Sequence, residues 1–160
     1  MSSSAAVPSA EQPLIVRDDH FCFGCGRLNA HGLQLQFAVT PERDGVWAPF
    51  RPSRAHEGFA EIVHGGIVTA VLDEVMGWAL FARGIWAVTA TIEVKFRKPV
   101  AVDVTTRAIG RIGRDRGRIL QVSGELRRES DDLLLAQATG SFVRVPESQA
   151  QAWRDRYLLQ

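Results

Sequence analysis

Residues 66–83 constrain this chain more than any other stretch. They read Gly-Ile-Val-Thr-Ala-Val-Leu-Asp-Glu-Val-Met-Gly-Trp-Ala-Leu-Phe-Ala-Arg. Apolar side chains cover nearly the whole circumference of a helix drawn through them, and a helix apolar all round is one that other elements bury. Such a helix is about 27 Å long, so a broad layer has to cover it. Asp73 stands out against this background, because an unpaired carboxylate is expensive to bury. Ahead of it lies His64-Gly65-Gly66. A helix that starts on glycines presents bare N–H groups where the dipole favours negative charge. An anion-accepting helix end and a nearby carboxylate are two parts that acyl-transfer chemistry uses.

Around this helix the sequence alternates with a period of two. Leu33, Leu35, Phe37 and Val39 predict one strand, and Val46, Ala48 and Phe50 a second that ends near Pro52. After the helix, Val88, Ala90, Ile92, Val94 and Phe96 point one way and Thr89, Thr91, Glu93, Lys95 and Arg97 the other. Three more strands follow, on Val102-Val104-Thr106-Ala108, on Leu120-Val122-Gly124-Leu126 and on Ala136-Ala138-Gly140-Phe142, counting alternate residues. Gly110–Gly117 and Arg128–Asp132 read as hairpin connections. Residues 14–31 read as irregular, 53–63 as a polar loop, and Pro146–Leu159 has helical composition. Short connections imply antiparallel pairing. The class is therefore α+β, a curved antiparallel sheet wrapped around one helix.

A chain of 160 residues accommodates one domain. We place it at 14–145, with a Ser/Ala/Pro-rich disordered tail over 1–13 and a short terminal helix or tail over 146–160. The net charge of +1 gives no global pull toward nucleic acid or a membrane surface. The longest apolar run is interrupted by Asp73 and Glu74, which argues against a membrane span. The tail lacks a basic start and an apolar signal core, so the expected location is cytoplasmic. Charge is uneven locally: five arginines lie between Arg107 and Arg118, against Asp115 alone. Of these, Arg114 and Arg116 are candidates for phosphate contacts. Two cysteines form His20-x-Cys22-x2-Cys25-x5-His31. A turn with two partly buried thiols, a zinc site and a redox dithiol all fit that spacing. The turn is the favoured reading, and no metal is assigned.

The segment Val63-His-Gly-Gly-Ile-Val-Thr-Ala-Val-Leu-Asp-Glu74 resembles that of hotdog-fold acyl-CoA thioesterases of the phenylacetyl-CoA and human thioesterase superfamily type. Cys22-Phe-Gly-Cys-Gly, Asn29, Gly32-Leu33 and Phe96-Arg-Lys-Pro-Val100 extend the likeness over roughly residues 21–145. The resemblance implies a hotdog fold with a sheet of about six strands. It implies hydrolysis of an acyl-CoA to a carboxylic acid and free coenzyme A. Asp73 would be nucleophile or general base, and the backbone N–H at Gly65, with Gly66 beside it, would polarise the thioester carbonyl. His64 is a candidate base, although a structural role in tying down the preceding loop is favoured. Thr89 falls where some relatives use a hydroxyl to hold water. The family's dimers take the acid and the oxyanion donor from opposite subunits, so a homodimer or homotetramer is expected. No metal or organic cofactor is required, coenzyme A being part of the substrate. The chain departs from the pattern at Gly58, where some relatives carry Asn, and Glu57 is the candidate replacement contact. It departs again at Ala60-Glu61, where many have Pro-Gly. Trp47, Trp78, Trp86 and Phe59 are candidates for an aromatic or medium-chain acyl pocket. The competing reading is a non-hydrolytic acyl-CoA-binding module on the same fold.

Overall fold

A computed structural model describes residues 16–158. The tail expected over 1–13 lies outside the described residues. Eight strands and two helices follow in chain order: β1 (Ala38–Val39), β2 (Val46–Phe50), β3 (Glu57–Phe59), β4 (Ile62–Val63), α1 (Gly65–Phe81), β5 (Ala87–Phe96), β6 (Thr106–Arg116), β7 (Ile119–Arg128), β8 (Leu134–Arg144) and α2 (Glu147–Tyr157). Six of the strands form one antiparallel sheet in the order β1-β2-β6-β7-β8-β5, and β3 pairs with β4. This is the expected α+β hotdog architecture. No helix among the described residues is long and apolar enough to cross a membrane.

The core lies between α1 and the sheet. Val68, Val71, Leu72, Val75, Met76, Ala79 and Leu80 are buried on the helix. They meet Ala108, Leu120, Val122, Leu126, Ala136, Ala138 and Phe142 from the strands. The alternation on β7 and β8 therefore has the expected phase. The helix itself is less enclosed than its composition predicts. Gly66 is exposed, and Asp73, Glu74, Gly77 and Trp78 are only half-buried. The sheet covers one side of α1, and the other side opens onto a cavity.

Four expected elements differ from the sequence reading. Residues 33–37 are not a strand: Gln34 has φ 49°, and the Leu33 and Leu35 N–H groups donate to Phe23 and Gly24 carbonyls. Leu33, Leu35 and Phe37 are still buried, so their alternation reports burial without pairing. Val102 and Val104 lie outside β6, because the chain turns at Asp103 (φ 61°) and this stretch instead joins the β3–β4 hairpin. Gly110, taken for the start of a turn, sits inside β6. A Cβ there would lie 2.3 Å from the Val75 carbonyl oxygen. Its glycine lets the helix and the sheet approach closely there. The true β6–β7 turn is Gly117-Arg118, joining paired Arg116 and Ile119. Arg114 and Arg116 are consequently strand residues near that tip. Residues 53–63, expected as loop, fold into a short 3-10 turn (Arg54–His56) and the β3–β4 hairpin.

Candidate active site at the open side of the helix

His64 ends the β3–β4 hairpin and caps α1. Its Nδ1 accepts from the Gly66 N–H at 2.8 Å, while its own N–H donates to the His56 carbonyl at 2.8 Å. The His64 carbonyl takes the N–H groups of Ile67 and Val68. Of the first-turn donors this leaves the Gly65 N–H with no acceptor among the described residues. His64 is thus used as a cap. His56, for which the residues alone suggest no role, is buried; its carbonyl accepts the His64 N–H, and its Nδ1 accepts from the Ser53 N–H at 3.0 Å.

Glu57 is engaged locally. Its Oε1 accepts from the Glu61 N–H at 3.0 Å and lies 3.8 Å from Arg54 Nε. Glu61 has φ 63°, the left-handed region that favours glycine. The resemblance described above implies the Gly of Pro-Gly at this position, so the Glu57 carboxylate pins a turn that the residue at 61 does not itself favour. A Cβ at Gly58 would come within 3.0 Å of His64 Cα.

Asp73 and Thr89 do meet. Thr89 Oγ1 donates to Asp73 Oδ1 at 2.7 Å. Strict alternation puts Thr89 on the same face as Thr91, away from the helix. A β-bulge prevents that. Thr89 pairs with Phe142 and Thr91 with Ser141, so Ala90 has no partner and the phase of β5 changes there. Thr89 consequently shares the inner face with buried Phe142, whereas Thr91 shares hydrogen-bonding range with Ser141 Oγ at 2.5 Å. Bulges commonly re-aim a side chain at a functional site. The same shift leaves Val88, expected inside, 47% exposed.

A cavity of about 550 Å³ opens beside this pair. Asp73, Thr89, Trp78, Phe81, Trp86, Phe142, Trp153 and Tyr157 line it, as do Cys22, Cys25 and Glu74. The aromatic wall is continuous: Trp78, Phe81 and Trp86 contact edge to face at centroid distances of 5.0 Å, and Tyr157 of α2 stacks on Trp86 at 6.4 Å. Of the four aromatics expected at a pocket, Trp78 and Trp86 line it. Trp47 packs with Ala38 and Ile109 in a separate cluster, and Phe59 is 85% exposed. Gly65, Gly66, His64, Glu57, Arg114 and Arg116 do not line this cavity.

Sequence reasoning missed the group next to Asp73. Glu74 accepts from Trp78 Nε1 at 3.2 Å and lies 3.7 and 3.9 Å from Cys22 Sγ through its two oxygens. Burial, then the neighbouring Cys22 sulfur, pushes its pKa up to about 7. Hydrogen bonding from the Cys25 thiol holds Cys22 at about 5, helped by the Gly24 and Cys25 N–H groups. Cys25 is pushed upward by that same bond and by burial. Neither His20 nor His31 belongs to the group. His20 Nδ1 accepts from the Cys22 N–H at 3.3 Å and its ring meets Tyr157 edge-on, while His31 is exposed.

Comparison with known proteins bears on the fold and the family. Residues 60–135 match the model of the thioesterase superfamily. Acyl-coenzyme A thioesterase THEM4 of Rattus norvegicus is 27% identical over 89 residues, 56% of this chain; the match spans 38% of that protein's length. A crystal structure of a thioesterase superfamily protein superposes with a TM-score of 0.69 at 23% identity, covering 74% of this chain and 57% of that one. A Streptococcus mutans UA159 protein bound to acetyl CoA superposes with a TM-score of 0.60 at 19% identity, covering 64% of this chain and 82% of that one.

Proposed function

We propose that this chain, a hotdog-fold member of the thioesterase superfamily, hydrolyses acyl-CoA thioesters. The observation that carries the reading is the 2.7 Å hydrogen bond from Thr89 to Asp73 at an aromatic cavity. One Asp73 oxygen is oriented by the threonine, and the other has no donor among the described residues. That free oxygen either attacks the thioester carbon, giving a mixed anhydride that water then opens, or takes a proton from an attacking water. In both routes the carbon–sulfur bond breaks, the acyl carbon gains a water oxygen, and coenzyme A leaves as the thiol. The chemistry draws on no metal and no organic cofactor.

The carbonyl oxygen needs a preorganised donor as its charge develops, and the free Gly65 N–H at the positive end of α1 has that character. Gly65 and Asp73 belong to one helix, eight residues apart, so about 12 Å of helix axis separates them. A single carbonyl cannot touch both. A homodimer removes the difficulty: the acid of one subunit faces the helix start of its partner. Association into dimers, or dimers of dimers, is part of this proposal. Two free thiols fit a reducing compartment such as the cytoplasm. The acyl group would occupy the aromatic cavity, whose volume of about 550 Å³ exceeds the needs of an acetyl group. Aromatic or medium-chain acyl groups are the expected substrates.

Asp73→Asn is nearly isosteric and provides neither nucleophile nor base. Free-thiol release from a panel of aromatic, short, medium and long acyl-CoA thioesters should fall at least ~100-fold in kcat. Near-normal turnover across the panel would remove Asp73 from the mechanism. Tight acyl-CoA binding without turnover in the unmodified protein would favour the non-hydrolytic binding module instead.

A further inference from the structure

Cys22, Cys25 and Glu74 bring one ligand atom each to within 4.8 Å of one another. They come from two places 52 residues apart in sequence, the turn Cys22-Phe-Gly-Cys25 and the middle of α1. Hydrolysis uses none of the three. The Glu74 carboxylate has no Lys, Arg or His partner among the described residues, only the Trp78 N–H and the sulfurs. A half-buried carboxylate facing two thiols gathers three groups that can each carry negative charge and nothing positive to offset them.

The spacing suits a cation. With Zn–S near 2.3 Å and Zn–O near 2.0 Å, tetrahedral ligands stand about 3.8 Å apart between sulfurs and about 3.5 Å between sulfur and oxygen. The Cys22–Glu74 separations of 3.7 and 3.9 Å are close to that. Trp78 Nε1 holds Glu74 Oε1 at 3.2 Å, which fixes the ligand's orientation from behind. Gly24 is cut to fit: a Cβ there would lie 2.3 Å from the Glu74 carboxyl carbon, yet its backbone is outside the left-handed region. A side chain at 24 would have to displace the Glu74 carboxylate from its present place, while the turn itself does not call for glycine.

We propose that Cys22, Cys25 and Glu74 form a binding site for a thiophilic divalent cation of the zinc class. The cation clips the N-terminal loop onto α1, with its fourth position open to the cavity that all three residues line. Cysteine sulfurs select such a metal over magnesium or calcium. The clip would fix Cys22 and Cys25, hence one wall of the cavity, beside Asp73. It goes beyond the hydrolytic reading and is tested without substrate.

The test is titration of the reduced, chelator-treated full chain with Co(II), reading thiolate-to-cobalt charge-transfer absorption, with native mass spectrometry for stoichiometry. One cobalt per chain is expected, displaced by Zn(II), with a rise in melting temperature. Cys22→Ser and Cys25→Ser should each abolish the absorption. Glu74→Gln and Gly24→Ala, which keep both thiols, should weaken binding at least ~10-fold, the low end for groups that only support a ligand. Circular dichroism checks that each variant is folded. Absence of a charge-transfer band in the unmodified protein overturns the proposal. So does wild-type affinity in both Glu74→Gln and Gly24→Ala, which would reduce the site to an ordinary dithiol.

Discussion

The two edges of the six-stranded sheet are built differently. At one, β1 has only two residues, and its turn is closed by Thr40, whose Oγ1 donates to Asp44 Oδ1 at 2.8 Å, while Arg111 Nε donates to Asp44 Oδ2 at 2.8 Å. At the other, β5 has ten residues, pairs on one side only, and leaves Val88 47% and Phe96 56% exposed. Proteins blunt edges with short strands and charges because an open row of backbone groups templates association. The β1 edge is blunted by its shortness, whereas β5, despite the bulge at Ala90 and the exposed Glu93–Lys95 pair, leaves a long row open. The open edge is also the one that carries Thr89, beside Asp73 on α1. If the proposed dimer forms, β5 is the edge at which a second copy would add its strand and bring its Gly65 to this Asp73.

Breaking the open edge should have the largest consequence. Thr91→Lys places a charge in the middle of β5 without touching the cavity. Light scattering should show a shift toward monomer, and kcat should fall ~100- to 1,000-fold, the loss expected when one oxyanion donor is removed. A fully active monomer would separate activity from the β5 edge. Next in size is complementation. Asp73→Asn and Gly65→Pro should each be inactive alone. After unfolding and refolding together, about a quarter of wild-type activity should return, since half the dimers are mixed and each has one intact site of two. No recovery would rule out a site shared between the Asp73 of one subunit and the Gly65 of the other.

A smaller effect is expected away from either edge, at the tip of β6. Arg114→Ala with Arg116→Ala should raise KM for acyl-CoA several-fold at low salt with little change in kcat, the pattern of lost uniform binding. A truncated thioester lacking the nucleotide should show no difference, and an unmoved KM would place the phosphates elsewhere. Smallest of all is the blunted edge itself: Arg111→Ala removes the contact to exposed Asp44. Association state and kcat should be unchanged. A loss of dimer on that substitution would reverse the assignment of the two edges.

What the sequence made legible was local. The α1 helix, the alternation on β7 and β8 and the terminal helix all follow from the spacing of apolar residues within one element. Long-range contacts were not legible in this way. Gly110 reads as a turn because glycine usually marks one, yet here it admits the Val75 backbone. Val102 and Val104 alternate like a strand, yet the chain turns at Asp103 and Val102 bonds to the β3–β4 hairpin instead. Asp73 and Gly65 could be singled out from their own neighbourhoods. Glu74 could not be joined to Cys22 and Cys25, because nothing in a cysteine motif says which distant carboxylate will face it. The Thr89 contact was visible as a residue but not as a geometry.

The bulge at Ala90 makes part of this site a matter of counting. Which face a strand residue occupies is decided by how many residues precede it, and the extra residue at 90 is what turns Thr89 toward Asp73 while Ile92 and Val94 still pack against the core. Removing that single alanine would take away no acid, no hydroxyl and no aromatic ring. It would oblige the strand either to turn its threonine to the outside or to turn its core residues there. The arrangement is therefore far more exposed to a change in length than to a change in chemistry. Two chains that agree in every functional group but differ by one residue in this strand should not be expected to hold their carboxylate alike.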